Sequence, residues 1–129
     1  MKRSILIACL ALALLLLLSS CGRVSVSSDQ LAELTYQYGD VSVSSTLTKE
    51  ESELLLSIVD GKMLYADDPS CGFDVNISFK IADRIFCPAC DSCCTIKDCK
   101  TGKYFSISDS ERETIESIFE KYGGKFPCV

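Results

Sequence analysis

The chain begins with a basic pair, Lys2 and Arg3, and continues into an unbroken apolar run of 14 residues from Ile5 to Leu18. As a helix this run rises about 21 Å, because each residue adds about 1.5 Å. The hydrocarbon core of a bilayer is about 30 Å thick, so the run is shorter than an ordinary membrane-spanning helix. Its length and its basic flank are typical of a cleaved export signal. The part of the chain that folds is therefore expected to lie outside the cytoplasm.

The apolar run ends in the tetrapeptide Leu18-Ser19-Ser20-Cys21. This sequence resembles the lipobox of bacterial lipoproteins, in which a leucine and two small residues precede a cysteine. The resemblance implies cleavage before Cys21, a diacylglycerol on its sulfur, and a location on the extracytoplasmic face of the cell membrane. Two acyl chains hold a protein firmly, since each buried methylene contributes about 0.8 kcal/mol. The alternatives are a secretory signal in which Cys21 is incidental, and a retained membrane anchor.

Cleavage at this position would leave 109 residues and would remove Lys2 and Arg3. The remaining chain has 11 basic and 18 acidic side chains, and therefore a net charge of −7. That charge argues against a nucleic-acid partner, because nucleic acids bind to basic patches. The length is enough for one domain. We expect a signal peptide at 1–20, a lipidated tether at 21–30 and a single domain at 31–129.

Two segments with alternating apolar residues predict β-strands. Leu34, Tyr36 and Tyr38 alternate with polar residues, Gly39-Asp40 is a typical turn, and Val41 and Val43 continue the alternation. Val75, Ile77, Phe79 and Ile81 show the same period of two. This period is typical of a strand with one buried face. We therefore predict a hairpin around residues 39–40 and a clear strand at 75–81, with shorter strands at 63–66, 84–87, 93–97 and 104–107.

Two capping boxes predict the starts of two helices. Thr48 is followed by Glu51, and Ser108 by Glu111. In such a box the hydroxyl accepts a hydrogen bond from the amide three residues later, and the glutamate reaches back to the cap amide. Apolar residues at helical spacing follow each box: Leu54, Leu55, Ile58 and Val59, and then Ile115, Ile118, Phe119 and Tyr122. The sequence thus predicts an α+β fold, a mostly antiparallel sheet with two amphipathic helices packed on one face.

Seven cysteines remain if Cys9 leaves with the signal and Cys21 carries lipid. This density in a small exported chain predicts disulfides. The candidates are Cys71, Cys87, Cys90, Cys93, Cys94, Cys99 and Cys128. Because seven is odd, at least one thiol has no partner within the chain. We expect Cys128 to fix the tail, and Cys71 to pair with Cys128 or with a cysteine of the cluster. If Cys93 and Cys94 lie in a strand, they point to opposite faces and are expected to have different partners.

The cluster at residues 87–99 (CPACDSCCTIKDC) allows two other interpretations. The thiolates of Cys87, Cys90, Cys93, Cys94 and Cys99 offer ligands for a metal such as Zn²⁺, which binds four thiolates tetrahedrally. The sequence CPAC resembles the CPxC motif of glutaredoxins, which implies thiol redox chemistry, although poor helix formers follow it. The chain has no histidine, so the usual base for a catalytic cysteine or serine is missing. We therefore assign no catalytic residue and expect no cofactor.

Three segments in the second half of the chain resemble the small uncharacterised Cys-rich lipoproteins of Gram-positive anaerobes. They are residues 69–74 (PSCGFD), 86–93 (FCPACDSC) and 122–129 (YGGKFPCV). The resemblance implies no particular activity. The sequence therefore predicts a membrane-anchored, non-catalytic module that binds a protein, a peptide or an envelope component. The alternative is an envelope module that binds metal through cysteine thiolates or performs thiol redox chemistry.

Overall fold

The computed structural model describes residues 1–20 and 22–128, with side chains described for all of these except 15–20. The first helix, α1 (Lys2–Ser20), has exposed apolar side chains from Ile5 to Leu14, and none of its described side chains belongs to the core. Among the described residues, no helix combines the length and the apolar character needed to cross a bilayer. The predicted lipidation site, Cys21, lies outside the described residues.

Six strands form one sheet, and every neighbouring pair is antiparallel. The strands are β1 (Glu33–Tyr38), β2 (Val41–Thr46), β3 (Ile77–Ile81), β4 (Arg84–Pro88), β5 (Thr95–Asp98) and β6 (Lys103–Ser106). Their order across the sheet is β2-β1-β3-β4-β5-β6. Two further helices, α2 (Lys49–Val59) and α3 (Asp109–Lys121), follow β2 and β6. The predicted α+β fold with an antiparallel sheet is confirmed.

The β1–β2 hairpin turns at Gly39 and Asp40, as the sequence predicts. Tyr38 and Val41 are direct partners across the hairpin, so its loop has two residues. Gly39 has a φ of +58°, the left-handed value that a type II′ turn requires at its first central position. Glycine adopts this value without steric cost, whereas a residue with a Cβ would be strained there.

Both predicted capping boxes are present, and they start α2 and α3. Thr48 Oγ1 accepts a hydrogen bond from Glu51 N at 3.2 Å, and Glu51 Oε2 accepts one from Thr48 N at 3.0 Å. Ser108 and Glu111 make the corresponding contacts at 3.2 and 2.8 Å. Each box satisfies two backbone amides near the helix start that have no partner within the helix. The predicted helix starts are therefore confirmed.

Both helices pack on the same face of the sheet and share one core with it. The core includes Leu55, Ile58 and Val59 of α2, Ile115, Ile118 and Phe119 of α3, and Leu34, Tyr36, Ile77, Phe79, Phe86, Ile96 and Phe105 of the sheet. Tyr36 joins the sheet to the end of the chain. Its ring centroid lies 6.2 Å from that of Phe119, and its hydroxyl donates to Lys125 O at 2.7 Å. The residues after α3 are thereby held against β1.

The loop at 66–76 runs across the other face of the sheet. It starts from Tyr65, which lies beside β6 and pairs with Tyr104 of that strand. It ends at β3, in the middle of the sheet. The ring of Phe73, within this loop, lies 5.3 Å from that of Tyr104. Tyr104 points away from the helices, because its neighbour Phe105 belongs to the core and successive strand residues point to opposite faces. The loop therefore covers part of the second face.

Residues 22–26 form part of the domain, whereas the sequence predicts a tether over 21–30. Val24 is only 1% exposed, and its amide donates to Lys62 O at 2.8 Å. Val26 N donates to a carboxylate oxygen of Asp60 at 3.1 Å. A short polar stretch without periodicity gives no sign of these contacts, because the partners lie far along the chain.

Other predicted strands are shorter in the structure. The strand predicted at 75–81 begins at Ile77. Val75 lies before it and is 57% exposed. The strand predicted at 63–66 is reduced to two isolated bridges, Arg23 with Met63 and Tyr65 with Tyr104. Cys93 and Cys94 lie outside the sheet, because β5 begins at Thr95.

The helices α2 and α3 run antiparallel and are joined by an ion pair near each end. Glu51 accepts hydrogen bonds from Lys121 Nζ and, at 2.7 Å, from the hydroxyl of Tyr122. At the other end Lys62 Nζ lies 2.9 Å from both carboxylate oxygens of Glu111. Burial disfavours the charged form of Glu51, but the hydrogen bonds from Lys121 and Tyr122 outweigh this effect. They lower the pKa of Glu51 from 4.5 to about 2.

We predict that Glu51→Gln lowers the free energy of unfolding at pH 7 by about 2 kcal/mol, because charge-assisted hydrogen bonds become neutral ones. A depressed carboxylate pKa stabilises the folded state above pH 4.5, and this contribution is lost as the pH falls toward 2. The difference in stability between wild type and E51Q should therefore shrink over that range. Urea unfolding at several pH values measures it.

Glu50→Gln is the matched control, since Glu50 is the exposed neighbour of Glu51 in the same turn. E50Q should follow the wild type at every pH. A constant difference between wild type and E51Q from pH 7 to pH 2 would contradict the lowered pKa.

Candidate functional site

Five of the cysteines that the sequence singles out lie at residues 87–99, which we call the cysteine-rich loop. It includes the end of β4, the connection to β5, β5 itself and the residue after it. Its path is fixed by backbone hydrogen bonds within the loop and to two other segments. Ala89 N donates to Thr95 O at 3.0 Å, Cys90 N to Gly72 O at 2.8 Å, and Ile107 N to Cys94 O at 3.0 Å. The loop is therefore an ordered part of the fold even though it has no helix of its own.

One disulfide joins the cysteine-rich loop to the loop at 66–76. It links Cys71 and Cys93, whose Cα atoms are 6.4 Å apart, within the range that disulfides span. The two residues are 22 positions apart in sequence. The expectation that Cys71 pairs with a cysteine of the cluster is met. This disulfide ties the segment crossing the second face of the sheet to the residues just before β5.

Cys87 and Cys99 form a second close pair, with their Sγ atoms 3.2 Å apart. Cys87 is buried in β4, and Cys99 directly follows β5. Burial raises the pKa of Cys87, and the hydrogen bond and charge of Cys99 raise it further. Closing the gap to the bonded distance of about 2.05 Å needs only a small side-chain movement. We infer that these two cysteines form a disulfide across neighbouring strands under oxidising conditions.

Cys90 and Cys128 form a third pair, and both residues are buried. Cys128 N donates to Cys90 O at 2.8 Å. The Cys128 thiol also donates to Cys90 O at 3.6 Å. Burial, together with hydrogen bonding of its thiol to Cys90, raises the pKa of Cys128 to about 12. This pair brings the C-terminal tail to the cysteine-rich loop. It agrees with the expectation that Cys128 fixes the tail after α3.

Of the seven cysteines at residues 22–128, Cys94 is the one left over when the other six are paired. Its side chain is half-buried, and its thiol donates to Asp109 Oδ1 at 3.2 Å. This hydrogen bond, with a smaller effect of burial, raises the pKa of Cys94. The thiol is therefore protonated at neutral pH and is a weak nucleophile, since the thiolate is the reactive form. Cys93 and Cys94 have different partners, although they lie outside the strand on which that expectation rests.

Arg112 organises this region, although no motif in the sequence singles it out. Although it lies in the first turns of α3, it is only 5% exposed. Its guanidinium donates to Asp91 O at 2.6 Å and to Cys93 O at 2.9 Å in the cysteine-rich loop, and to Glu116 Oε1 at 2.7 Å. The ring centroid of Phe126, in the tail, lies 4.9 Å from the guanidinium carbon. Arg112 thus contacts the loop, the helix and the tail at once.

The structure does not bring the predicted metal ligands together. Cys87, Cys90, Cys93, Cys94 and Cys99 have separate neighbours: Cys87 and Cys99 contact each other, and the others contact Cys128, Cys71 and Asp109. The two cysteines of the CPAC motif therefore do not face each other as a redox pair. Within the described part of the chain, the one group of three metal-ligating side chains is Cys71, Asp91 and Cys93, with ligand atoms within 4.8 Å of one another.

The Cys71, Asp91 and Cys93 group offers two sulfurs and one carboxylate, but the two sulfurs are bonded to each other. A disulfide must be reduced before its sulfurs serve as thiolate ligands. In the structure Asp91 has a different partner, because its Oδ1 accepts a hydrogen bond from Cys93 N at 3.0 Å. In this oxidised form the three residues hold the loop at 66–76 against the cysteine-rich loop.

No protein-family model matches this chain, and comparisons with characterised proteins and with solved structures gave no match either. The resemblances to the lipobox and to Cys-rich lipoproteins stay predictions. The chemistry of the site is therefore derived from the chain's own contacts.

We predict that Arg112→Lys lowers the free energy of unfolding by about 2 kcal/mol. A lysine keeps the charge but lacks the planar fork that satisfies two carbonyls at once. Reduction of the Cys71–Cys93 disulfide by a water-soluble phosphine should also become faster. Urea unfolding and mass-spectrometric detection of the alkylated cysteines measure the two effects.

The control for Arg112 is Glu116→Gln, which removes the ion pair and leaves both carbonyl contacts intact. Glu116 is partly exposed, so this change should cost no more than about 0.5 kcal/mol. If R112K and E116Q were indistinguishable in both measurements, Arg112 would not be the residue that orders the loop.

The pairing also predicts the thiol count. For residues 22–128 in the oxidised, unfolded protein, we expect Cys94 as the single alkylated cysteine. After reduction, all seven cysteines in this range should react. Fragmentation of the cross-linked peptides without reductant should show three bonds, joining Cys71 to Cys93, Cys87 to Cys99 and Cys90 to Cys128. The variant Cys94→Ser should show no reactive thiol before reduction, and a cross-link that includes Cys94 would refute this pairing.

Proposed function

We propose that this protein is a lipid-anchored, extracytoplasmic module that binds a protein, a peptide or an envelope component and does not catalyse a reaction. The sequence support is the lipobox resemblance at Leu18–Cys21. The structure adds that the described side chains of α1 are separate from the core formed by the rest of the chain. A segment that the core does not need is suited to removal as a signal peptide.

The distribution of the sulfur atoms favours a binding module over a metal or redox centre, and it is the observation that carries this proposal. Six cysteines lie in three separate places: Cys71 is bonded to Cys93, Cys87 Sγ lies 3.2 Å from Cys99 Sγ, and Cys128 contacts Cys90 through its amide and its sulfur. The seventh, Cys94, has a raised pKa and a carboxylate partner. A metal or redox centre gathers its sulfurs at one point and keeps them reactive. Pairs that are spread through the fold instead serve stability, as is usual in small exported domains.

The outer side of the helix layer offers a surface for a partner. A shallow groove of about 480 Å³ runs between α2 and α3. Leu54, which is 47% exposed, and Ile118 give it an apolar floor, and Glu113 and Lys121 border it. Apolar contact surface with a polar rim is the usual composition of protein-binding sites. We expect a peptide or protein segment with an apolar side chain at its centre to bind in this groove.

The second candidate function is metal binding in the envelope, and the group of Cys71, Asp91 and Cys93 favours it. After reduction of the disulfide, two thiolates and one carboxylate would be available within 4.8 Å. This function requires a reducing environment, in which the Cys71–Cys93 bond is open. In an oxidising compartment the disulfide prevents it.

Expression of the full chain in a bacterium tests both the anchor and the alternative. We expect the protein in the membrane fraction, beginning at Cys21 with a diacylglycerol on its sulfur, as measured by mass spectrometry of the N-terminal peptide. Cys21→Ala should abolish both the lipid and the cleavage before residue 21. Cys9→Ala, within the signal segment, is the matched control and should retain both.

The metal content of the same membrane extract separates the two functions. A binding module with closed disulfides should contain no stoichiometric zinc, iron or copper. One bound metal ion per chain, lost in the double variant Cys71→Ser and Cys93→Ser, would overturn our preference and support the alternative.

A further inference from the structure

The segment next to the proposed lipid site is fixed to the domain. Gly22 follows Cys21 directly, and its carbonyl accepts a hydrogen bond from Leu64 N at 2.8 Å. Val24 is buried, and both of its backbone groups bond to the same segment. Its amide donates to Lys62 O and its carbonyl accepts from Gly61 N, each at 2.8 Å. These contacts hold residues 22–24 as a short edge segment antiparallel to residues 61–64. The folded domain therefore begins at the residue that follows Cys21.

This arrangement limits the distance between the domain and a membrane. One residue spans at most about 3.6 Å, whereas a flexible linker of ten residues has a root-mean-square length of about 17 Å. A diacylglycerol on Cys21 would place its acyl chains in the bilayer, with the cysteine at the level of the head groups. Gly22 would then lie within one residue length of that level.

We propose that the anchored domain lies directly against the lipid head groups through the surface around Arg23 and Met63, and that its β2 edge points away from the membrane. This inference rests on the proposed lipidation of Cys21. The ligand is the bilayer surface itself, to which the domain is attached without a spacer.

The chemistry of this surface fits a membrane contact. Met63 is 63% exposed and pairs with Arg23 in an isolated bridge. The nearby charges balance, because Arg23 and Lys62 are basic and their neighbours Asp60 and Glu111 are acidic. The chain after residue 20 as a whole has a net charge of −7. A neutral patch with an exposed methionine avoids the repulsion from anionic lipids that the rest of the surface would experience.

The topology places the β2 edge far from this surface. The bridge between Tyr65 and Tyr104 puts residues 63–65 beside β6, at one edge of the sheet. Strand β2 forms the opposite edge, five strand spacings away, or about 24 Å at about 4.8 Å per spacing. Val41, which is 41% exposed, lies on β2. Met63 and Val41 are therefore exposed apolar residues at opposite ends of the domain.

Single tryptophans provide the test, because the protein contains none. Met63→Trp and Val41→Trp are made in the full chain, purified from membranes, and reconstituted into phosphatidylcholine and phosphatidylglycerol vesicles with acyl chains brominated near the head group. We expect the brominated lipids to quench about half of the tryptophan fluorescence of M63W, as for an aromatic ring at the interface. The fluorescence of V41W should be unchanged. Both substitutions are at exposed positions, and urea unfolding checks that both variants fold.

A linker variant tests the cause of the contact. Ten glycine and serine residues inserted between Cys21 and Gly22 should release the domain, so the quenching of M63W should fall toward the value for V41W. If quenching stayed unchanged, the surface would bind lipid by itself and the absence of a spacer would not be the cause. Quenching of both tryptophan variants without the linker would show a flat orientation and overturn the proposed one.

Flotation of the vesicles separates this inference from the proposed anchor. If M63W floats with the vesicles and carries lipid on Cys21, but its fluorescence is not quenched, the contact is overturned and the anchor stays intact. Protein that stays in the soluble fraction without lipid on Cys21 would overturn both.

Discussion

The guanidinium of Arg112 lies where α3, the cysteine-rich loop and the C-terminal tail meet, and each of its three nitrogens has an acceptor. Two of the acceptors are the carbonyls of Asp91 and Cys93, in a stretch that has no helix or strand to satisfy its backbone. A buried carbonyl without a partner is costly, so this stretch depends on the arginine to keep its path. The Cys71–Cys93 disulfide and the pair of Cys90 with Cys128 form on that fixed path.

A second buried arginine has the same role at the other end of the cysteine-rich loop. Arg84 in β4 forms an ion pair with Asp98 in β5, at 2.7 Å, and Asp98 is fully buried. The Nη1 of Arg84 also donates to Ser25 O at 3.1 Å. Both arginines thus bind carbonyls of irregular segments that come from distant parts of the sequence. The fork of donors in arginine suits this purpose, because one side chain satisfies several acceptors in fixed directions.

The sequence predicts those parts of the fold that depend on neighbouring residues. The boxes at Thr48 and Ser108 and the turn at Gly39 are determined within a few positions, so local chemistry is enough to identify them. The role of Arg112 is hidden because its acceptors include backbone carbonyls, which every residue has. The burial of Val24 is hidden for a related reason, since its partners are the backbone groups of residues 61–62. The cysteine pairing likewise requires the arrangement of the whole sheet, although the odd count already indicates one unpaired thiol.

The pairing of residues 22–24 with 61–64 also sets an order of events during synthesis of the chain. The first partner follows Arg23 by 38 residues, so the N-terminal edge of the domain stays unpaired until that later segment has been made. During this interval the start of the chain is accessible to enzymes that bind peptides in an extended form. Once residue 64 arrives and the edge closes, the same site lies against folded protein. Any enzyme that acts at this end therefore competes with folding in time, and faster folding leaves it less opportunity.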